Sequence, residues 1–194
     1  MPWFGYLEKV VTQDYKLIQT SLDKAIPFLE IFILPYLFWF AFVVVTVLYF
    51  FFKDKKEFYR LIIFLFTGMT IFLIISTFWP NGQALRPTQF ERDNVFVDLV
   101  KNLYLTDTPT NVFPSIHVYN TLGCYIAIKK SEHLKQIRWL QNTNFVITGL
   151  IILSTMFLKQ HSYLDVVGAG LFGVITYVFV YGIEYKHEHK MACT

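Results

Sequence analysis

An all-α, polytopic transmembrane helical bundle of about five spans, preceded by an N-terminal amphipathic helix, is predicted by three features of this 194-residue sequence. Charged residues are only 16% of the chain, against about 25% in soluble globular proteins. Hydrophobic residues reach 55% and aromatics 19%. Uncharged runs of bilayer-crossing length recur along the chain, and about 20 apolar residues suffice to cross. This composition excludes disorder, a coiled coil and a disulfide scaffold. The net charge of +3, with no basic stripe interleaved with aromatics, argues for no nucleic acid partner. Cys124 and Cys193 are far apart and lack metal-ligand spacing. Charges at Glu8, Lys9, Asp14 and Lys16 interrupt any signal-peptide core.

The elements follow in order. Phe4, Leu7, Val11, Tyr15, Ile18, Leu22 and Ile26 fall at three- and four-residue steps with charges between them. They predict one amphipathic interfacial helix within residues 1–26. The first span is 31–52, with Pro35 near one end and Glu30 as an interfacial carboxylate. Residues 53–60 form a charged turn. The second span, 61–79, is broken by Pro80, Asn81 and Gly82. In the polar stretch 81–112, Val95, Leu99 and Leu103 repeat after Asp93 and Asn94, predicting a second interfacial helix suited to a lid. The third span runs 113–128, with Pro114 in its first turn. A second charged turn, 129–138, leads to the fourth span, 139–158. Lys159, Gln160, His161 and Asp165 interrupt the apolar pattern before the fifth span, 166–183. There Gly168, Ala169, Gly170 and Gly173 form a small-residue packing face. The embedded core is thus 27–185. A cytoplasmic tail, 186–194, follows, with His187 and His189 read as solvated.

Lys53, Lys55, Lys56 and Arg60 mark one charged turn, and Lys129, Lys130, Lys135 and Arg138 the other. The positive-inside rule puts both in the cytoplasm with the tail. The 80–113 loop and the 159–165 break then face the extracytoplasmic side. Arg86, Ser115, His117, Lys159, His161 and Asp165 gather at that membrane depth, and ionisable groups so placed mark a functional site.

Their chemistry is complementary. Arg86 offers a planar fork of donors for phosphate. Ser115 lies in a helix start whose free N–H groups favour an anion. His161 and Asp165, four apart, are expected on one helix face, with the carboxylate fixing the imidazole tautomer. Ser154 lies two turns before His161, and Lys159 adds a cation beside it. His117 supplies a second imidazole for a leaving oxygen. Phosphoryl transfer consists largely of positioning and charge stabilisation, which this set could supply.

Three short motifs carry a resemblance. WPNGQALRP, PSIH and ST-x5-H-x3-D occur in this order over residues 79–165. They resemble the K-x6-RP, PSGH and SR-x5-H-x3-D pattern of the type 2 phosphatidic acid phosphatase superfamily, and KQH-x3-D looks like its inositol phosphorylceramide synthase-like branch. The sequence departs from the pattern at Trp79, in place of Lys, and at Thr155, in place of Arg. Lys159 is the expected substitute for both cations. The resemblance implies a membrane lipid phosphatase that needs no metal or other cofactor. It implies that His161 attacks phosphorus to form a phosphohistidine, Asp165 orients it, and His117 protonates the leaving alkoxide and then activates water. Arg86, Ser115, Lys159 and Ser154 would hold the phosphate. The expected partners are a lipid phosphate substrate, such as undecaprenyl diphosphate or phosphatidate, and the surrounding membrane lipids. A bacterial plasma membrane is the expected location.

Other readings remain open on the sequence. Transfer of a phospho-headgroup to an alcohol is one. A metallohydrolase using His117, His161 and Asp165 is a second. A Ser115 hydrolase lacks the G-x-S-x-G elbow. A transporter or scaffold would need none of this chemistry, but the paired broken repeats of transporters are missing.

Overall fold

The computed structural model describes residues 2–11 and 14–192, with side chains over 3–11 and 14–182. Cys193, and the side chains of His187 and His189, lie outside the described residues. The order is α1 (Pro2–Val10), β1 (Lys16–Leu17), α2 (Ser21–Ala25), a 3-10 turn (Glu30–Phe32), α3 (Ile33–Lys53), α4 (Lys55–Phe78), β2 (Asn81–Gly82), α5 (Val95–Thr106), α6 (Ile116–Lys130), α7 (Arg138–Phe157) and α8 (Tyr163–Ala192).

The protein is an all-α polytopic membrane protein. The helices α3, α4, α7 and α8 are long and apolar enough to cross a bilayer. Phe66, Phe145, Val174 and Phe179 on their outer faces are each more than half exposed, as expected where lipid is the solvent. The predicted third span is α6, only 15 residues long, with all four of these helices packed around it. Its packing against four helices explains why it tolerates His117, Asn120 and Thr121, which a lipid-facing helix would not. Tyr119 anchors it. The ring lies against Gly68 of α4, and the hydroxyl donates to Phe64 O at 3.1 Å and meets Thr176 Oγ1 of α8 at 2.8 Å.

Three local expectations are corrected. The charged turn 53–60 is almost wholly helical. Asp54 is the lone break between α3 and α4, and its carboxylate caps α4 by accepting from Glu57 N at 3.0 Å. Pro114 precedes α6 rather than opening it, because Ser115 is the N-cap. Residues 4–26 do not form one amphipathic helix. Leu7 packs with Phe72 and Leu73 of α4, but Lys16 and Leu17 pair in parallel with Asn81 and Gly82. In α2 the buried side chain is Asp23, while Leu22 is exposed. Backbone pairing and polar anchoring thus override the apolar period. A helix does form over the polar stretch, as α5, capped by Asn94 accepting from Val97 N at 3.0 Å. It buries Val97 and Val100, and Val95 stays exposed.

Candidate functional site

The site is assembled from the ends of helices. His117 lies in the first turn of α6, on which Tyr36 of α3 stacks with ring centroids 4.6 Å apart and Trp39 leans at 4.2 Å. These walls fix the imidazole, and its buried Nε2 has no protein partner. His161 faces it, with ring centroids 5.9 Å apart.

His161 is placed by the way α7 ends. Lys159 adopts a left-handed conformation (φ 53°), the turn that glycine usually supplies at a helix C-terminus. Gln160 N and His161 N both then bond to Thr155 O at 3.0 Å. Ser162 caps the start of α8. Its Oγ accepts from Leu164 N at 3.2 Å, and the Asp165 carboxylate accepts from Ser162 N at 2.8 Å. The same Asp165 Oδ2 lies 3.4 Å from His161 Nδ1. The two do not share a helix face, since His161 precedes α8. The capping turn folds the ring back onto the carboxylate. Asp165 is fully buried, and its main-chain oxygen accepts from Ser115 N at 3.2 Å, tying the α6 start to the α8 start.

A cavity of about 70 Å³ is bordered by both rings, lined in part by His117, His161, Gln160, Asp107, Asn111 and Thr108. Both polar ends of the Asn111 amide and the Gln160 Nε2 are buried without partners. Sequence reasoning missed Asp107, Asn111 and Gln160 as site residues. Asn111 has a left-handed backbone (φ 53°), held by its N–H donating to Asn81 O. Gly82 lets this strand approach, because a Cβ there would sit 2.8 Å from Pro109 O. Burial raises the Asp107 carboxyl above its ordinary range, partly offset by the positive charge of Arg86. Larger grooves of about 440 Å³ and 660 Å³ open between α6 and α8 and between α4 and α8; Lys129 and Lys130 line the first and Lys56 and Arg60 the second, and neither is lined by a histidine or a carboxylate.

The remaining predicted phosphate ligands are arranged differently from expectation. Arg86 donates to Asp107 O at 2.6 Å, to Tyr104 O at 3.3 Å and to the Gln160 side-chain carbonyl, so it stands behind Gln160. Burial lowers its pKa, an effect that neighbouring Asp107 opposes. Ser115 Oγ accepts from Val118 N at 3.4 Å as the α6 cap. Ser154 is buried and donates to Ile151 O at 2.6 Å. Lys159 does not reach the cavity. Its ammonium donates to Asp23 O at 2.6 Å and to Ile26 O, because the left-handed turn that presents Gln160 and His161 sends its side chain toward the N-terminal segment. Among the described residues no three His, Cys, Asp or Glu side chains gather as a metal-binding group.

No curated protein and no solved structure matches the chain. A family model described as the PAP2 superfamily matches residues 7–179. That span takes in Arg86, His117, His161 and Asp165, and the chain belongs to the PAP2 superfamily.

Proposed function

We propose that this protein is an integral membrane phosphatase that hydrolyses a lipid phosphate or diphosphate through a phosphohistidine on His161. The observation that carries this reading is the pair of neighbouring imidazoles that line one small polar cavity, one of them backed by a buried carboxylate. Asp165 accepts from Nδ1–H of His161, which leaves Nε2 to attack phosphorus. The P–N bond forms as the bond to the lipid oxygen breaks, and protonated His117 gives its proton to that oxygen. Neutral His117 then takes a proton from the attacking water, and the P–N bond breaks. The Asn111 amide and the unpartnered Nε2 of Gln160 are suited to hold phosphoryl oxygens, with the Arg86 charge transmitted through the Gln160 carbonyl. A site at the helix ends opposite the Lys-rich turns suits an amphiphile whose tail stays in lipid, and the positive-inside rule puts it at the outer leaflet.

The test is a panel of lipid phosphates and diphosphates incubated with purified protein in detergent, with and without an alcohol acceptor. Release of inorganic phosphate, with an acid-labile phosphoenzyme that is absent from His161→Ala, supports the reading. Appearance of phosphorus only on the alcohol would assign a phosphotransferase instead. Full activity in His161→Ala would end the proposal.

A further inference from the structure

The least expected contact with the His161 turn comes from the N-terminal segment. Asp23 is 1% exposed, although it belongs to a five-residue helix that the apolar pattern assigned to the interface. Its Oδ1 accepts from Tyr163 N at 2.7 Å. Its Oδ2 accepts from Ser162 Oγ at 2.8 Å, from Thr20 N at 2.6 Å and from Thr20 Oγ1 at 3.0 Å. Every partner is a donor, so the group is held as an anion. Burial raises its pKa, but the hydrogen bonds from Tyr163, Thr20 and Ser162 outweigh this and hold it below the ordinary carboxylate value.

These contacts meet the start of α8 at two points. The Tyr163 N–H is one of the free donors of the first turn, and a carboxylate there also complements the helix dipole. Ser162 is the residue whose own N–H holds Asp165 Oδ2. One continuous path therefore runs from Asp23 through Ser162 to Asp165 and His161. Lys159 closes the loop from the other side, through the main-chain oxygens of Asp23 and Ile26.

We infer that Asp23 is a positioning residue for the reaction, a cap supplied to α8 by the N-terminal segment that sets the orientation of Asp165 and His161. This rests on His161 and Asp165 being the reacting pair. Without Asp23, Ser162 and Tyr163 lose their shared acceptor, the capping turn relaxes, and the nucleophile leaves its line of attack. Misplacement of about 1 Å can cost about 100-fold in rate.

The test compares full-length wild type, Asp23→Asn, Ser162→Ala and the double variant in detergent. Single-turnover phosphoenzyme formation, KM, melting temperature and hydrogen exchange over residues 159–166 are followed. Asp23→Asn is expected to slow phosphoenzyme formation about 10- to 100-fold. KM should stay within about twofold, and exchange over 159–166 should rise selectively. The double variant should lose no more than the worse single one, because both act along one path. An unchanged rate in Asp23→Asn would overturn the inference. So would a loss accounted for by a smaller folded fraction. Should Asp23→Asn not fold, Ser162→Ala decides alone: the same loss upholds the path and full activity overturns it. Wild type inactive on every lipid phosphate would sink the phosphatase reading. The exchange measurement then still decides whether Asp23 orders the turn.

Discussion

The Arg86 guanidinium donates to the side chain of Gln160, the residue before His161, instead of opening directly into the cavity. Its other contacts are the carbonyls of Tyr104 and Asp107, and its face lies 4.6 Å over the Tyr104 ring. Arg86 thus braces the far wall while its charge reaches phosphate through an amide. Lysine cannot serve these acceptors with one planar fork. Arg86→Lys should therefore lower kcat/KM about 10- to 100-fold and cost about 1–3 kcal/mol of stability. Steady-state kinetics and thermal unfolding in detergent check both.

His117 has no hydrogen-bond partner at Nε2, as a group that hands protons to substrate requires. His117→Ala should slow turnover of lipid alkyl phosphates by about 10²- to 10⁴-fold, the usual contribution of a positioned acid. Phosphoenzyme formation from an activated aryl phosphate, whose leaving group needs no proton, should fall far less. Equal losses with both substrates would contradict the assignment.

How much of the molecule was legible in the sequence depends on what left a period. The spans α3, α4, α7 and α8 announce themselves because an apolar run of bilayer length rarely serves any purpose but crossing a bilayer. His117, His161 and Asp165 were legible through motif spacing, although the pairing of the last two arises from a capping turn and not from a helix face. Asp107, Asn111 and Gln160 are loop residues without periodicity. Asn111 reaches the cavity through backbone pairing, where Gly82 bridges Thr110 and Asn111 N meets Asn81 O; Gln160 reaches it through the left-handed turn that ends α7, and Asp107 as the residue that ends α5. The N-terminal segment misled for the same reason. Counting apolar positions cannot reveal that the buried Asp23 has partners 139 and 140 residues away.

Lys159 offers a sharp contrast between the motif reading and the geometry. A phosphate ligand removed by Lys159→Ala would weaken vanadate binding. The bonds to Asp23 O and Ile26 O predict instead a loss of stability of about 1–3 kcal/mol, with vanadate affinity nearly unchanged. Lys159→Gly loses the same bonds but removes the strain of a left-handed non-glycine residue, so it should be the more stable of the two by up to about 1 kcal/mol. Thermal shift and vanadate inhibition of the same preparations separate these outcomes.

Asp107 brings a pH dependence. Burial raises its carboxyl in the folded protein, partly offset by the charge of Arg86. The folded state then holds this proton to higher pH than the unfolded chain does. Between the unfolded value near 4 and the raised folded value, folding is linked to proton uptake, so stability from this group declines as pH rises through that window. Asp107→Asn should flatten that decline in melting temperature measured from pH 4 to 7. It also removes a negative charge from the wall of an anion site, so vanadate should inhibit about tenfold more tightly at neutral pH. Weaker inhibition would show that Asp107 holds the anion through a proton of its own.

The small residues of α8 are not equivalent, although the sequence groups them on one face. A Cβ on Gly168 would lie 2.4 Å from the Phe113 ring, which sits two residues before Ser115 and its α6 cap. At Gly170 a Cβ meets nothing within 4 Å, and at Gly173 the nearest atom, of Leu122, is 3.6 Å away. Gly168→Ala must push Phe113 outward and shift the start of α6, where His117 follows Ser115 by two residues. It should cost about 1–3 kcal/mol of stability and reduce kcat severalfold. Gly170→Ala should leave kcat near wild type and stabilise slightly, since alanine is the better helix former by about 1 kcal/mol. Thermal unfolding and turnover of the two variants side by side decide the matter: equal effects would mean that close approach of Phe113 to α8 does not set the position of His117.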